Sequence, residues 1–269
     1  VSPVHGAHGG DAGLLPAAAV AAVAAAYLLL ALRRGREARG WSRWRTAAFL
    51  AGAALLVLAV VPQLSPFPHG DFRGHMYQHL LIGMYAPMGL ALGAPVTLLL
   101  RSLPRSAGRV VGRLLRSGPV HLIARPATAL VLNLGGLAVL YFTPLYAAAA
   151  GSPVLHNLVH FHFLAAGYLF AWVVAGPDPA PRRPAVPARL VVLGAAITGH
   201  AALSQLLYAG LFVQVPAPAL QLRQAGEMMY YMGDIAELLL AFALVSTWRP
   251  GRRSPRPGRS PGAGARPAA

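Results

Sequence analysis

The sequence predicts an all-α polytopic membrane protein: seven transmembrane helices in one bundle, with the N-terminus outside and the C-terminus in the cytoplasm. Composition supplies the first reason. Mean hydropathy is +0.54, with 56% of the 269 residues hydrophobic and 11% charged. That is too apolar for a soluble domain and too lightly charged for a disordered chain. The second reason is the placement of charge. All 23 basic residues are arginine, and the eight segments between or outside the apolar runs hold 0, 6, 1, 6, 0, 3, 1 and 6 of them. Because short arginine-rich loops stay in the cytoplasm, this alternation fixes the orientation of a multi-pass membrane protein.

A helix needs about 20 apolar residues to cross the hydrocarbon core, and seven stretches meet or approach that length. In lipid they must be helices, because each backbone N–H and C=O has to be satisfied within its own segment. The first runs from Leu14 to Leu32. Val1 to Ala12 lacks the basic region of a secretory signal, so this helix is expected to stay. His5 and His8 fall in that outer tail and read as a disordered polar end. The second span covers Ala47 to Leu64, and the outer loop after it carries His69 and Asp71.

The third span, Met76 to Leu100, opens in G-H-M-Y-Q-H-L-L-I-G-M-Y-A-P. Pro87 removes the hydrogen bond to the Gly83 carbonyl and predicts a kink there. Gly89 and Gly93 form a small-residue pair suited to close helix packing. Between Arg101 and Arg125, Arg105, Arg109, Arg113 and Arg116 recur opposite Val110, Val111, Leu114 and Leu115. That pattern predicts an amphipathic helix lying on the headgroups. The remaining spans are Thr128 to Tyr146 with Gly135 and Gly136 at its middle, Val154 to Val174, Leu190 to Phe212 and Met228 to Val245. Residues 1–248 therefore read as the membrane domain. Residues 249–269, rich in Pro, Gly and Arg, read as a disordered basic cytoplasmic tail.

Several function classes drop out. The net charge of +16 is accounted for by cytoplasmic loops meeting anionic membrane lipids rather than by nucleic acid. With no cysteine, thiolate metal sites and cysteine nucleophiles are excluded. No hydrolase triad, P-loop or dinucleotide fingerprint is present, and an enzyme is not predicted.

What chemistry remains gathers near the predicted outer face. His75 and His79 share one face of the third span, and His156 and His160 share one face of the fifth. Two such pairs at one depth supply up to four imidazole nitrogens, enough for copper or zinc. They could equally hold a haem b through two axial histidines. The plainer alternative is that each ring snorkels to the headgroups. His162 turns to another side of the fifth span and is a supporting candidate. His200, near the middle of the sixth span, should face the bundle interior as a ligand, a proton relay or a hydrogen-bonded core histidine. Glu227, Asp234 and Glu237 fall on one stripe of the seventh span with Tyr230. Asp234 and Glu237 are candidates to orient ligating imidazoles, or one of them is simply protonated. All six methionines, Met76, Met84, Met88, Met228, Met229 and Met232, lie in the third and seventh spans. Thioethers favour Cu(I), which makes Met76 and Met228 candidate ligands, although methionine is also ordinary packing material.

The stretches H-M-Y-Q-H-L-L-I-G-M-Y-A-P (His75 to Pro87), L-G-A-P-V-T-L-L-L-R-S-L-P (Leu92 to Pro104), H-N-L-V-H-F-H-F-L-A-A-G-Y-L-F (His156 to Phe170) and G-P-D-P (Gly176 to Pro179) resemble the CtaG-like bacterial cytochrome c oxidase assembly factors. The resemblance covers roughly Gln63 to Leu244 and places His75, His79, His156 and His160 on that family's motif histidines. It implies a role in building the oxidase, in contact with its subunits, by handling or delivering copper. The chain departs from the family where an Asp-Gln-x-x-x-Gly pattern is expected and Arg223, Gln224, Gly226 and Glu227 stand instead. The expected activity is therefore non-catalytic copper handling, with neutral imidazole as the ligand form, so that binding weakens below about pH 6. A haem-binding redox protein, a metal or proton transporter using His200, Asp234 and Glu237, and a passive scaffold are the alternatives.

Overall fold

A computed structural model of the chain describes residues 13–68, 70–181 and 183–246. His5, His8, His69 and the basic tail at 249–269 lie outside the described residues. Every regular element among the described residues is helical: α1 (Leu14–Gly35), α2 (Arg43–Val60), α3 (Phe72–Leu80), α4 (Ala86–Leu92), α5 (Pro95–Ser102), α6 (Arg105–Leu115), α7 (Gly118–Ile123), α8 (Pro126–Phe142), α9 (Leu145–Ala150), α10 (Pro153–Val174), α11 (Val186–Ala209) and α12 (Ala219–Ser246). A π turn, Leu81–Tyr85, joins α3 to α4 in one rod, and a 3-10 turn, Pro62–Leu64, follows α2.

Five of these helices, α1, α2, α10, α11 and α12, are long and apolar enough to cross a membrane. A sixth crossing exists if the rod Phe72–Leu92 and α5 count together, since the two are bent by 40° at their junction. Helix α8 has 17 residues, about 26 Å at 1.5 Å per residue, against a hydrocarbon core of about 30 Å. The described chain thus supplies five or six spans by length, where seven were expected.

The boundaries moved for identifiable reasons. The third stretch does not run through to Leu100: Ala94 adopts φ +53 and Pro95 restarts the helix. The sixth stops at Ala209 because Gly210 takes a left-handed conformation, leaving Phe212 outside. The seventh begins at Ala219, nine residues before Met228, because the polar run L-Q-L-R-Q-A-G-E is helical although hydropathy reads it as loop. Pro87 is accommodated by the π turn just before it, and the 40° break falls later, at Gly93 and Ala94.

Small residues bring the rods together. A β-carbon on Gly89 would lie 2.7 Å from the Ala48 carbonyl oxygen, and one on Gly52 2.7 Å from that of Ala86, so α2 and α4 touch backbone to backbone. A β-carbon on Gly167 of α10 would collide with the Gly83 carbonyl. Tyr27 stacks on Phe49 at 3.8 Å and donates to the Gly93 carbonyl at 2.7 Å, tying α1 to the end of α4.

The connections collect at two ends. At one, Arg101 donates to the Gly40 carbonyl at 3.0 Å and lies 3.5 Å from Glu37. There too Asp178 accepts from the Val96 and Thr97 amides at 2.9 and 2.6 Å and from the Thr97 hydroxyl at 2.6 Å. At the other end Gln214 bonds the Tyr141 carbonyl at 2.9 Å, and Gln221 accepts the Phe72 amide at 3.1 Å. The arginine-rich segments, as far as they are described, meet at the first end. The predicted histidine pairs lie toward the second.

Candidate functional site

Helix α3 starts with Asp71 as its N-cap, whose carboxylate accepts the Arg73 amide at 2.9 Å. The Arg73 guanidinium folds back on the same carboxylate and holds it below the usual carboxylate range. Arg73 also donates to Gln224 at 3.0 Å. With Gln221 on the Phe72 amide, α12 therefore fixes the first turn of α3 at two points. One turn further in stands His75.

His75, His156 and His160 line one cavity of about 350 Å³, with Asp71, Gln78 and Tyr146 among the other walls. The His156 and His160 rings lie 4.2 Å apart. His75 meets Tyr146 edge-on at 4.9 Å and Tyr141 at 6.0 Å. The Nε2 atoms of His75 and His160 are buried and lack hydrogen-bond partners. An unmade hydrogen bond on a buried polar atom costs about 1–3 kcal/mol, so two residues of one cavity each carry a nitrogen that a water or ligand would satisfy.

The other predicted residues are arranged around this cavity rather than in it. His79, a turn deeper, is buried with both ring nitrogens unpartnered, and its ring sits 4.6 Å from Phe163. His200 is 1% exposed, likewise unpartnered at both nitrogens, and its ring occupies the space where Gly233 of α12 has no side chain. His162 bonds the Leu132 carbonyl at 3.2 Å and fills the space over Gly136. It ties α10 to α8, away from the cavity. Met76 is fully buried in the apolar cluster around Phe72 and Leu80, and Met228 packs partly buried against the same cluster. Neither lines the cavity. Asp234 is half-buried. Glu237 is 5% exposed with an unpartnered Oε2, and Glu227 is exposed.

Among the described residues no group of three or more His, Asp or Glu is close enough together to hold a metal ion. The two histidine pairs converge on one cavity only as far as His75, His156 and His160, and the four-imidazole centre is not assembled. Imidazole is a borderline donor of the kind copper accepts, and the His75 and His160 rings each keep one nitrogen without a hydrogen-bond partner.

Sequence reasoning missed several contributors. Tyr141 has a buried hydroxyl without a partner beside both α3 histidines. Gln221 and Gln224 hold α3, and Asp178 holds α5. The G-A-P-V-T and G-P-D-P stretches could have been paired by their chemistry: a buried aspartate in one and helix N-terminal amides in the other complement each other.

Comparison with known proteins completes the picture. A family model described as "Cytochrome c oxidase caa3 assembly factor (Caa3_CtaG)" matches residues 25–250. Uncharacterized proteins of Mycobacterium bovis and Mycobacterium tuberculosis are each 33% identical over 251 residues, covering 86% of this chain and 38% of the relative. One from Mycobacterium leprae is 33% identical over 177 residues, covering 63% of this chain and 27% of the relative. The chain thus spans well under half the length of these relatives. No solved structure matches.

Proposed function

The chain belongs to the cytochrome c oxidase caa3 assembly factor family, and from that premise we propose that it is a non-catalytic, multi-pass protein of the bacterial plasma membrane that handles copper for the oxidase. In this reading α8 is the fourth crossing and brings the count to seven, shortened by the Thr143 and Pro144 break. The arginine-rich end faces the cytoplasm and the histidine cavity opens outward. Copper is cargo. His75, His156 and His160 receive it at the outer boundary, and oxidase subunits docking there take it on.

The observation that carries this reading is that His75 and His160 line one cavity and that each has a buried Nε2 without a hydrogen-bond partner. Neutral imidazole is the ligand form, and protons compete with the metal for it. Tyr141 and Tyr146 fix the His75 ring edge-on, which limits the reorganisation needed on binding. A cavity that opens at the end of the bundle suits transfer to a partner better than permanent storage.

The test is complementation. Cells that lack the native copy and express the His75→Ala, His160→Ala double variant at wild-type level are expected to make an oxidase deficient in copper, with activity partly restored by excess copper in the medium. Full oxidase activity without added copper would overturn the copper role and leave a scaffold.

A further inference from the structure

Apart from the histidine cavity, one acidic residue and two methionines line a small pocket between helices. A pocket of about 30 Å³ is lined by Gly83, Met84 and Met88 from the α3–α4 rod, Asn133 from α8 and Glu237 from α12, among others. Glu237 is 5% exposed, and its Oε2 has no hydrogen-bond partner. The ion pairs among the described residues involve Glu37 and Asp71, not Glu237. A carboxylate at such depth is expensive unless something compensates it, and the pocket it lines is about the size of one water molecule or one dehydrated ion.

The donors define which ion. Thioether sulfur is a soft ligand that selects Cu(I) and binds hard cations weakly, while the carboxylate would cancel a single positive charge in the hydrocarbon. Histidines lead to the place. His79 packs against Gly83, where a β-carbon would stand 3.2 Å from its Cε1, and Gly83 also lines the pocket. His200 packs against Gly233, one turn before Glu237. Both rings have their two nitrogens buried and free.

We propose that Glu237, Met84 and Met88, with the Asn133 amide oxygen, form a second, deeper Cu(I) site, reached from the histidine cavity past His79 and His200. This rests on the reading that the cavity takes copper. Glu237 neutralises the ion, the two sulfurs give the selectivity, and the glycines at 83 and 233 leave room for the imidazoles along the way.

The test uses the full chain in mild detergent, loaded anaerobically with Cu(I) against a competing chelator, with copper counted per chain and X-ray absorption read for sulfur neighbours. Wild type is expected to bind two copper ions, one of them with sulfur scattering. Met84→Leu, Met88→Leu, a swap that keeps volume and apolarity, should bind one and lose the sulfur signal. Glu237→Gln should also bind one, and it answers for the site if the methionine variant does not fold. His75→Ala, His160→Ala should lose the other ion and keep the sulfur-bound one. Wild-type stoichiometry and spectrum in the methionine and Glu237 variants would overturn the deep site and leave the cavity standing. A histidine variant that binds as wild type would overturn the cavity reading, and no copper in any protein would overturn both.

Discussion

At the scale of single residues, the acidic side chains divide by what they hold. Asp178 is 1% exposed and spends both oxygens on the first turn of α5. Its replacement by alanine leaves buried amides unpaired and is expected to cost about 1–3 kcal/mol, seen as a lower thermal midpoint in detergent, with asparagine recovering part of the loss. Asp71 works at the opposite end. Its carboxyl is held low by Arg73, so the cap's contribution is complete above about pH 4, the ordinary aspartate value, and is lost as pH falls through the lowered native value. Acid should therefore loosen the start of α3 only below pH 4, measured as faster amide exchange at Arg73 and Gly74. The role of Asp178 was hidden from the sequence because its partners lie 81 and 82 positions away, and nothing local marks such a pair.

At the scale of elements, the rod made by α3, the π turn and α4 positions most of the site. Its π turn sits where α10 approaches closely enough that Gly167 has no room for a β-carbon beside the Gly83 carbonyl. Gly167→Ala should force α10 away and destabilise by about 1–3 kcal/mol. Gly108→Ala, on a helix where a β-carbon meets nothing within 4 Å, should be neutral or stabilising by up to about 1 kcal/mol. Comparing the thermal midpoints of the two variants checks both. The spacing of the histidines on their helices followed from period alone, and it brings His75, His156 and His160, but not His79, to one cavity. Depth along the rod did not: His79 lies behind Phe163 and Tyr141, a packing fact that spacing of four cannot reveal. Met76, adjacent to His75, faces the apolar core instead of the cavity because neighbours on a helix diverge by about 100°.

At the scale of the whole molecule, five helices were legible from hydropathy because their apolar runs are long and end at arginines, glycines or prolines. The α3–α5 break and the short α8 were not, since a composition window averages across Gly93 to Pro95 and cannot see that Thr143 and Pro144 divide α8 from α9. The topology is open to direct measurement because the chain has no cysteine of its own. A single cysteine at exposed Gln63 should react with a membrane-impermeant maleimide in intact cells, and one at exposed Ser42 only after permeabilisation. The reverse pattern would invert the bundle. The claim on which the account turns is that the cavity of His75, His156 and His160 takes copper. Its most direct measurement is metal content of the purified full chain after copper loading, wild type beside His75→Ala, His160→Ala. The account predicts stoichiometric copper in the wild type and at least one ion fewer in the variant. Equal copper in the two, or none in the wild type, would contradict it.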